Sequence, residues 1–357
     1  MKTAIIGLPQ VGKTSLFTIL TGMSRETHMG GTSVHVGMTQ VPDHRLDALA
    51  KVFEPDKITH ATIEYADMPP TSRDGLNDPS YVGSLRLADA FAHVLRVFES
   101  EMVAHVEGSI DPERDWTNLD LELILNDLAV IEKRLARLEK DMGKIKDPEL
   151  PHEHALLVKA KEFLESECPL RELELDGDES KRMRGFQFLS AKPMLLVLNL
   201  GESGAGELHK IEQEYRDRLL GGRKNVEVTA VCGSVEAELA ELEPEEAREY
   251  LEGYGLKEPG VDRLIRATYS LLGLMSFLTA GEKEVRAWTI PKNTRAVKAA
   301  GAIHSDFEKK FIRAETIQWE LLIEREGYAG ARKQGELRLE GKEYVVQDGD
   351  VLVIRHG

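Results

Sequence analysis

Residues 7–14 read Gly-Leu-Pro-Gln-Val-Gly-Lys-Thr and directly follow the apolar run Thr-Ala-Ile-Ile at residues 3–6. This is the pattern G-x-x-x-x-G-K-[ST], in the order of buried strand, tight loop and helix. Gly7 and Gly12 let the backbone curl so that successive N–H groups point inward at an anion. The stretch at 15–20 predicts a helix whose positive N-terminal end lies beneath that anion. The sequence therefore predicts a phosphate-binding loop.

The candidate phosphate-binding residues lie in this loop and at the start of the helix. Lys13 is expected to neutralise the β- and γ-phosphates of a nucleoside triphosphate, and the Thr14 hydroxyl to bind Mg²⁺. With the neighbouring residues of the loop, the predicted set is Gly7, Pro9, Gln10, Val11, Gly12, Lys13, Thr14 and Ser15. We therefore expect the chain to bind a nucleoside triphosphate.

The composition is typical of a globular protein. The 357 residues predict two or three domains, with 41% hydrophobic and 30% charged residues. No apolar run reaches the roughly 18 residues of a membrane span. Met1 leads directly into the first predicted strand, so no signal peptide is expected. Two cysteines, Cys168 and Cys232, favour a reducing cytoplasm over a disulfide framework or a metal cluster.

Charge is distributed unevenly along the chain. The net charge is −16, yet residues 281–357 carry 14 Lys or Arg against 13 Asp or Glu, so the acidic excess lies in the first 280 residues. An acidic body argues against broad, nonspecific binding to nucleic acid. Direct binding to DNA is therefore not expected.

Buried strands recur through the first two-thirds of the chain, as an α/β nucleotide-binding sheet requires. Helical patterns lie between several of them, for example at 82–91. The predicted strands are residues 3–6, 61–66, 93–98, 193–199 and 226–231.

The long interval between the third and fourth strands has a heptad pattern. From Leu121 to Ile145, apolar residues alternate spacings of three and four. Residues 146–151 contain two prolines that break the helix, and a second helical stretch follows at 155–164. A coiled-coil hairpin of two antiparallel helices is the simplest interpretation. The alternative is an ordinary amphipathic helix packed on the sheet.

A small α+β module is predicted from about residue 280. Helices are expected at 306–312 and 317–323, and Asp348-Gly349 predicts a tight turn. Strands are expected at 284–290, 336–339, 342–346 and 351–355. The predicted domains are a nucleotide-binding domain at 1–117 and 192–279, a helical insertion at 118–191 and a C-terminal module at 280–357.

Three further segments bear on the nucleotide site. Asp67 ends the second strand, where an acid can hold Mg²⁺ through water; the alternative is an aspartate that caps a turn. Residues 199–202 read Asn-Leu-Gly-Glu at the end of the fourth strand, where GTPases carry Asn-Lys-x-Asp and the acid pairs with guanine. Residues 230–234, which include Cys232 and Gly233, end the fifth strand, where a backbone loop normally closes over the base.

Together these motifs resemble the YchF / Obg-like ATPase family of translation-factor-class P-loop proteins. The resemblance covers nearly the whole chain, including the helical insertion. It implies an α/β P-loop NTPase domain with an inserted α-helical coiled-coil hairpin and a C-terminal α+β ubiquitin-like β-grasp (TGS) domain. The segments that carry it are residues 7–15, 105–112, 199–202, 236–242, 277–288, 303–309 and 344–351.

The same resemblance implies a slow Mg²⁺-dependent ATPase rather than a GTPase, although GTP stays possible as the ligand. Asn199 and Glu202 would surround the base, with Leu200, Cys232 and Gly233 beside them. It also implies a cytoplasmic monomer that associates with the ribosome or a ribosome-associated protein in a switch-like role.

The sequence departs from the family pattern beside the γ-phosphate. The family has Asp-x-x-Gly, whose glycine N–H contacts that phosphate, whereas residues 67–70 here read Asp-Met-Pro-Pro, and proline has no N–H. In the first switch, Thr32 is the expected Mg²⁺ ligand, with Ser33 and Thr39 as alternatives. Two hypotheses stay open: a slow ATPase switch, and a hydrolysis-deficient adaptor that binds ATP or GTP.

Overall fold

The computed structural model describes residues 1–23, 34–70, 76, 78–101, 103–144 and 147–357. The predicted ligand Thr32 and its alternative Ser33 lie outside the described residues. The chain divides into two compact units. Unit 1 comprises Met1–Gly37 and Glu64–Leu271, and unit 2 comprises Met38–Ile63 and Leu272–Gly357. Across the described ranges, each helix is too short or too polar to cross a bilayer.

The strands within the described ranges are β1 (Lys2–Ile6), β2 (His35–Gln40), β3 (Ile58–Thr59), β4 (Thr62–Asp67), β5 (Ala90–Arg96), β6 (Met194–Leu200), β7 (Val226–Cys232), β8 (Leu274–Thr279), β9 (Val285–Pro291), β10 (Phe311–Gln318), β11 (Arg338–Glu340) and β12 (Asp350–His356). The α-helices there are α1 (Lys13–Thr21), α2 (His44–Phe53), α3 (Pro79–Arg86), α4 (Pro112–Met142), α5 (Glu149–Glu165), α6 (Gly177–Arg184), α7 (Leu208–Leu220), α8 (Gly233–Leu239), α9 (Pro244–Gly253), α10 (Gly260–Leu271), α11 (Ala296–Ile303), α12 (Ser305–Lys309), α13 (Trp319–Glu324) and α14 (Tyr328–Gln334).

The first sheet has the strand order β2-β4-β1-β5-β6-β7. From β4 to β7 all neighbouring strands are parallel. Every residue of β5 and β6 is buried, as expected for parallel strands covered on both faces. The chain passes from β1 to β4 on one side and later to β5 on the other. The carboxyl end of β1 is therefore a topological switch point, where α/β sheets bind ligands.

Helices α4 and α5 pack against each other around a cluster that includes Ile131, Leu138 and Leu157. Ion pairs join Glu132 to Lys161 and Arg134 to Glu153 across the pair. Helix α4 starts at Pro112, because the Asp111 side chain accepts a hydrogen bond from the Arg114 N–H and proline suits the first helical turn. The predicted insertion boundary at residue 118 therefore falls inside a helix.

The second sheet has the order β11-β10-β12-β8-β9-β3 and covers a cluster containing Phe277, Ala299 and Leu352. Strand β3 lies parallel to β9, with Ile58 opposite Val285. The Thr59 hydroxyl donates to Glu284 over 2.6 Å. Residues 38–63 thus belong to unit 2, whereas the sequence analysis placed residues 1–117 in the nucleotide domain. Strands β3 and β9 are far apart in sequence, so no local sequence pattern predicts their pairing.

In unit 2 the helices expected at 306–312 and 317–323 are present as α12 and α13, although each covers only part of the predicted range. The sequence analysis missed the strand between them, β10, which pairs with both β11 and β12. Buried Glu315 and Thr316 in β10 hide the apolar pattern of an interior strand. No strand forms over 342–346 among the described residues, where only an isolated bridge joins Arg295 and Val345. The turn at Asp348-Gly349 is confirmed, with φ 82° at Gly349.

In unit 1 the helix expected at 82–91 ends at Arg86, and β5 begins at Ala90 rather than at residue 93. Asp78 caps the helix by accepting from the Ser80 N–H, with Pro79 in the first turn. Strand β5 starts early because Phe91 pairs with Met194 in β6. An apolar run of this kind fits a helix or a buried strand equally well.

Candidate nucleotide-binding site

The loop after β1 has a backbone that only particular residues can adopt. Gly7, Gln10 and Gly12 all have positive φ, at 142°, 63° and 97°. A Cβ on Gly7 would lie 2.6 Å from the Val94 carbonyl oxygen, and one on Gly12 would lie 2.3 Å from Asn199 Nδ2. Both positions therefore require glycine. Helix α1 begins immediately afterwards, so its N-terminus faces the concave side of the loop.

Lys13 is buried within this loop, with 5% of its surface exposed. Its ammonium donates to the carbonyl oxygens of Gly7 over 2.9 Å and Leu8 over 2.8 Å. Burial lowers the pKa of Lys13 to about 8, although the nearby Asp67 carboxylate acts in the opposite direction. A phosphate at this position would supply the negative charge that a buried ammonium lacks.

Asp67 and Thr14 converge at the carboxyl end of the sheet. Asp67 ends β4 opposite Ile5 of β1, and its Oδ2 accepts a 2.9 Å hydrogen bond from the Thr14 hydroxyl. A hydroxyl and a carboxylate are the hard oxygen ligands that Mg²⁺ prefers. The pair therefore fits a Mg²⁺ ion bound beside phosphates held by the loop.

Asn199 joins the phosphate loop to the start of α8. Its Nδ2 donates to the Val11 carbonyl oxygen over 2.9 Å, and its Oδ1 accepts from the Gly233 N–H over 3.1 Å. The side chain thus connects the phosphate loop to the first residue of α8. These contacts engage both polar atoms of the amide, so Asn199 positions the site. Direct contact with a base stays a prediction.

Glu202 is exposed at the start of a short 3₁₀ helix after β6. Its Oε1 accepts a 2.9 Å hydrogen bond from the hydroxyl of Tyr254, the residue after α9. The Tyr254 ring packs against the core of unit 1 and lies 5.3 Å from the Tyr250 ring. The sequence analysis missed Tyr254, because 52 residues separate it from its partner and no motif includes it.

Two other predicted site residues are buried. Leu200 and Cys232 are 3% and 0% exposed within the core of unit 1, and contact of either residue with a base stays a prediction. The Cys232 sulfur lies 3.4 Å from the Ser234 hydroxyl oxygen. At this position the Gly233 backbone is what reaches Asn199. Of the remaining loop residues, Gln10 is exposed and Ser15 is half-buried in the first turn of α1.

A cavity of about 740 Å³ adjoins the phosphate loop. Pro9 lines it with buried His93 from β5 and Asp115 from α4. Burial lowers the pKa of His93 to about 3, and Lys13 adds to the effect, so the imidazole is neutral. No motif in the sequence links His93 to the phosphate loop. The two are brought together by the pairing of β1 with β5, which places His93 opposite Ile6.

Pro69 and Pro70 follow β4 where the family pattern has a glycine. Both line a separate cavity of about 500 Å³ together with Val34 and Tyr81. Because neither proline carries an N–H, this segment cannot supply the backbone donor that a glycine at residue 70 would provide.

Comparisons with known proteins cover the chain almost from end to end. It is 41% identical over 363 residues to the ribosome-binding ATPase YchF of Bacillus subtilis, covering 99% of both chains. It is 39% identical over 359 residues to the ribosome-binding ATPase YchF of Escherichia coli O157:H7, covering 98% of both. The chain belongs to the YchF family.

The YchF relationship extends to a family model and to a solved structure. Residues 274–357 match the model YchF-GTPase_C, described as a protein of unknown function. The structure of the Schizosaccharomyces pombe YchF GTPase has a TM-score of 0.85 and 27% identity, covering 99% of this chain and 97% of that one. The resemblance inferred from the motifs is confirmed, as is the mixed α/β fold.

Proposed function

We propose that this YchF family member binds a nucleoside triphosphate with Mg²⁺, hydrolyses ATP slowly and communicates its nucleotide state to the ribosome. The observation that carries the proposal is the Thr14–Asp67 hydrogen bond at the mouth of a loop that already encloses a buried lysine. Proteins related over the whole chain are named ribosome-binding ATPases, which supports both the nucleotide and the partner.

Each part of the site has a distinct role in this proposal. Backbone N–H groups of the loop and the start of α1 bind the phosphates, and Lys13 neutralises their charge. Thr14 would hold Mg²⁺ directly and Asp67 through water, while the role of Thr32 stays a prediction. When bound, the ion would neutralise charge on the phosphate oxygens. Asn199, Gly233 and Glu202 form the base side.

The proposed hydrolysis relies on positioning and electrostatics, without a covalent nucleophile. Lys13 and the loop hold the terminal phosphate in place, and the described segment at Pro69-Pro70 offers it no N–H. Losing one preorganised donor typically lowers a rate by about 10²–10³-fold. We therefore expect slow turnover. The same observation favours a second candidate, an adaptor that binds ATP or GTP and does not hydrolyse it.

Both candidate functions require that the chain binds a nucleoside triphosphate, and equilibrium binding of nonhydrolysable ATP and GTP analogues with Mg²⁺ tests this. Lys13→Met should abolish binding, whereas Lys310→Met, which removes an exposed lysine, should leave it unchanged. Absence of binding by the unaltered protein would refute both candidates.

Single-turnover ATP hydrolysis, with and without ribosomes, then separates the two candidates. Turnover above the uncatalysed rate supports the ATPase switch. Tight binding without turnover in both conditions supports the adaptor. Cosedimentation with ribosomes in the presence of each nucleotide tests whether the nucleotide changes the association.

Beyond the site, we propose that α4 and α5 form a coiled-coil hairpin and that residues 280–357 form a β-grasp (TGS) domain. Ion pairs and a continuous apolar cluster between the two helices support the hairpin. Strands β9, β10 and β12 with α11 support the second assignment. We also propose a cytoplasmic monomer without direct affinity for DNA, consistent with ribosome-binding relatives and the acidic net charge of −16. Sedimentation velocity tests the oligomeric state.

A further inference from the structure

We infer that Tyr254 is a specificity-determining residue that favours adenine over guanine by holding one carboxylate oxygen of Glu202. The hydrogen bond from the Tyr254 hydroxyl to Glu202 Oε1 is 2.9 Å long. The inference rests on the proposed nucleotide site, in which Glu202 lies on the base side. In this inference Tyr254, which follows α9, helps to select the base although it lies outside the base-binding motif at 199–202.

The position of Tyr254 is set by packing rather than by the hydrogen bond alone. Its ring belongs to the partly buried layer on the core of unit 1. The Tyr250 ring meets it at 65°, and the Tyr250 hydroxyl donates in turn to Glu238. The Tyr254 carbonyl oxygen also lies beside Gly206, in the same 3₁₀ helix that begins with Glu202. The phenol therefore approaches Glu202 from a constrained direction.

The Tyr254 hydroxyl keeps its proton at neutral pH and can therefore donate a hydrogen bond. The hydrogen bond with Tyr250 lowers the pKa of Tyr254, but the Glu202 carboxylate raises it, and the net change is upward. Tyr254 therefore stays protonated and donates, and the ionised carboxylate, which has only acceptor positions, receives the bond.

The two bases make different demands on a carboxylate. Guanine presents two adjacent donors, its N1–H and N2–H, which pair with a carboxylate through two parallel hydrogen bonds to both oxygens. Adenine presents a single donor group, its N6 amine. When Oε1 faces Tyr254, Glu202 has only Oε2 to direct at a base. The arrangement satisfies adenine and leaves one guanine donor without a partner, which lowers affinity for guanine.

The test compares the affinities of nonhydrolysable ATP and GTP analogues with Mg²⁺ for the full chain and for Tyr254→Phe. Phenylalanine keeps the packed ring and removes only the hydroxyl. We expect the ratio of ATP to GTP affinity to fall by about tenfold, because the freed oxygen can form a charge-assisted hydrogen bond with guanine. Tyr215→Phe is the matched control, since the Tyr215 ring lies on α7 under Arg218. Its ratio should stay that of the unaltered protein.

Combining Tyr254→Phe with Glu202→Ala gives a second reading, because Tyr254 acts on the base only through the Glu202 carboxylate. In the Glu202→Ala background, Tyr254→Phe should leave the ratio unchanged. An unchanged ratio in Tyr254→Phe alone, or an equal change in both backgrounds, would overturn the role of Tyr254, even if the unaltered protein prefers ATP. Failure of the unaltered protein to bind either nucleotide would overturn the site and this inference together.

Discussion

Replacing Lys13 by methionine should make the stability of the nucleotide-free protein depend on pH in a defined way. Lys13 is only 5% exposed, and burial lowers the pKa of its ammonium from the usual 10.5 to about 8. One pKa unit corresponds to about 1.4 kcal/mol, so keeping Lys13 protonated in the folded state costs about 3 kcal/mol. Methionine has a similar length and avoids that cost.

The direction of the effect follows from proton binding. Between pH 8 and 10.5 the unfolded chain keeps the Lys13 proton and the folded protein releases it, so the folded wild type gains stability as the pH rises. Below pH 8 the cost is fully present. The advantage of Lys13→Met over the wild type should therefore be largest near pH 7 and shrink by about 3 kcal/mol up to pH 10.5.

Urea unfolding at intervals from pH 7 to 10.5 measures this difference, since groups common to both proteins cancel. Lys310→Met, at an exposed position, is the control and should give a difference that does not change with pH. A constant difference for Lys13→Met would refute the reasoning. It would mean that the attraction of the nearby Asp67 carboxylate offsets the burial of the ammonium.

Three further outcomes follow from the described contacts. Gly12→Ala should lower the melting temperature and abolish nucleotide binding, because its Cβ would collide with the Asn199 amide at a φ of 97°; retained binding would contradict this. Asp120→Ala should destabilise the fold by about 3–5 kcal/mol in urea unfolding, because buried Arg171 loses its carboxylate partner, and a cost below 1 kcal/mol would show that water replaces it. Pro70→Gly should raise single-turnover ATP hydrolysis by up to about 10²-fold by adding an N–H donor, with an unchanged rate excluding that contact.

The elements that the sequence predicts best are short apolar runs with polar borders. Strands β1, β4, β6 and β7 start and end within one or two residues of the predicted ranges. Strand β10 lacks such an apolar run, because the charged residue Glu315 occupies a buried position. Its carboxylate accepts hydrogen bonds from Arg332 and Arg355. Only tertiary pairing reveals that such a charge is compensated.

Within the candidate site, features formed by residues close together in sequence could be predicted, and contacts between residues far apart in sequence could not. The phosphate loop is contiguous, and each of its glycines has a local reason visible in the motif. The Asn199 contact with Val11 and the Tyr254 contact with Glu202 join residues that are far apart in sequence, and neither belongs to a local period. His93 reaches the loop only through strand register. A single sequence contains no signal for such pairs.

Helix α2 and strand β3 lie early in the sequence, within residues 38–63, but belong to unit 2, and this order matters during synthesis of the chain. The ribosome makes residues 38–63 early, whereas their partner strand β9 is made only after unit 1. Until then, the apolar side chains of α2, including Leu46 and Leu49, lack their final cover. Pairings between distant segments form slowly and expose surfaces prone to aggregation in the meantime. Nascent chains halted before β9 should therefore be substrates for chaperones, even when unit 1 has already folded.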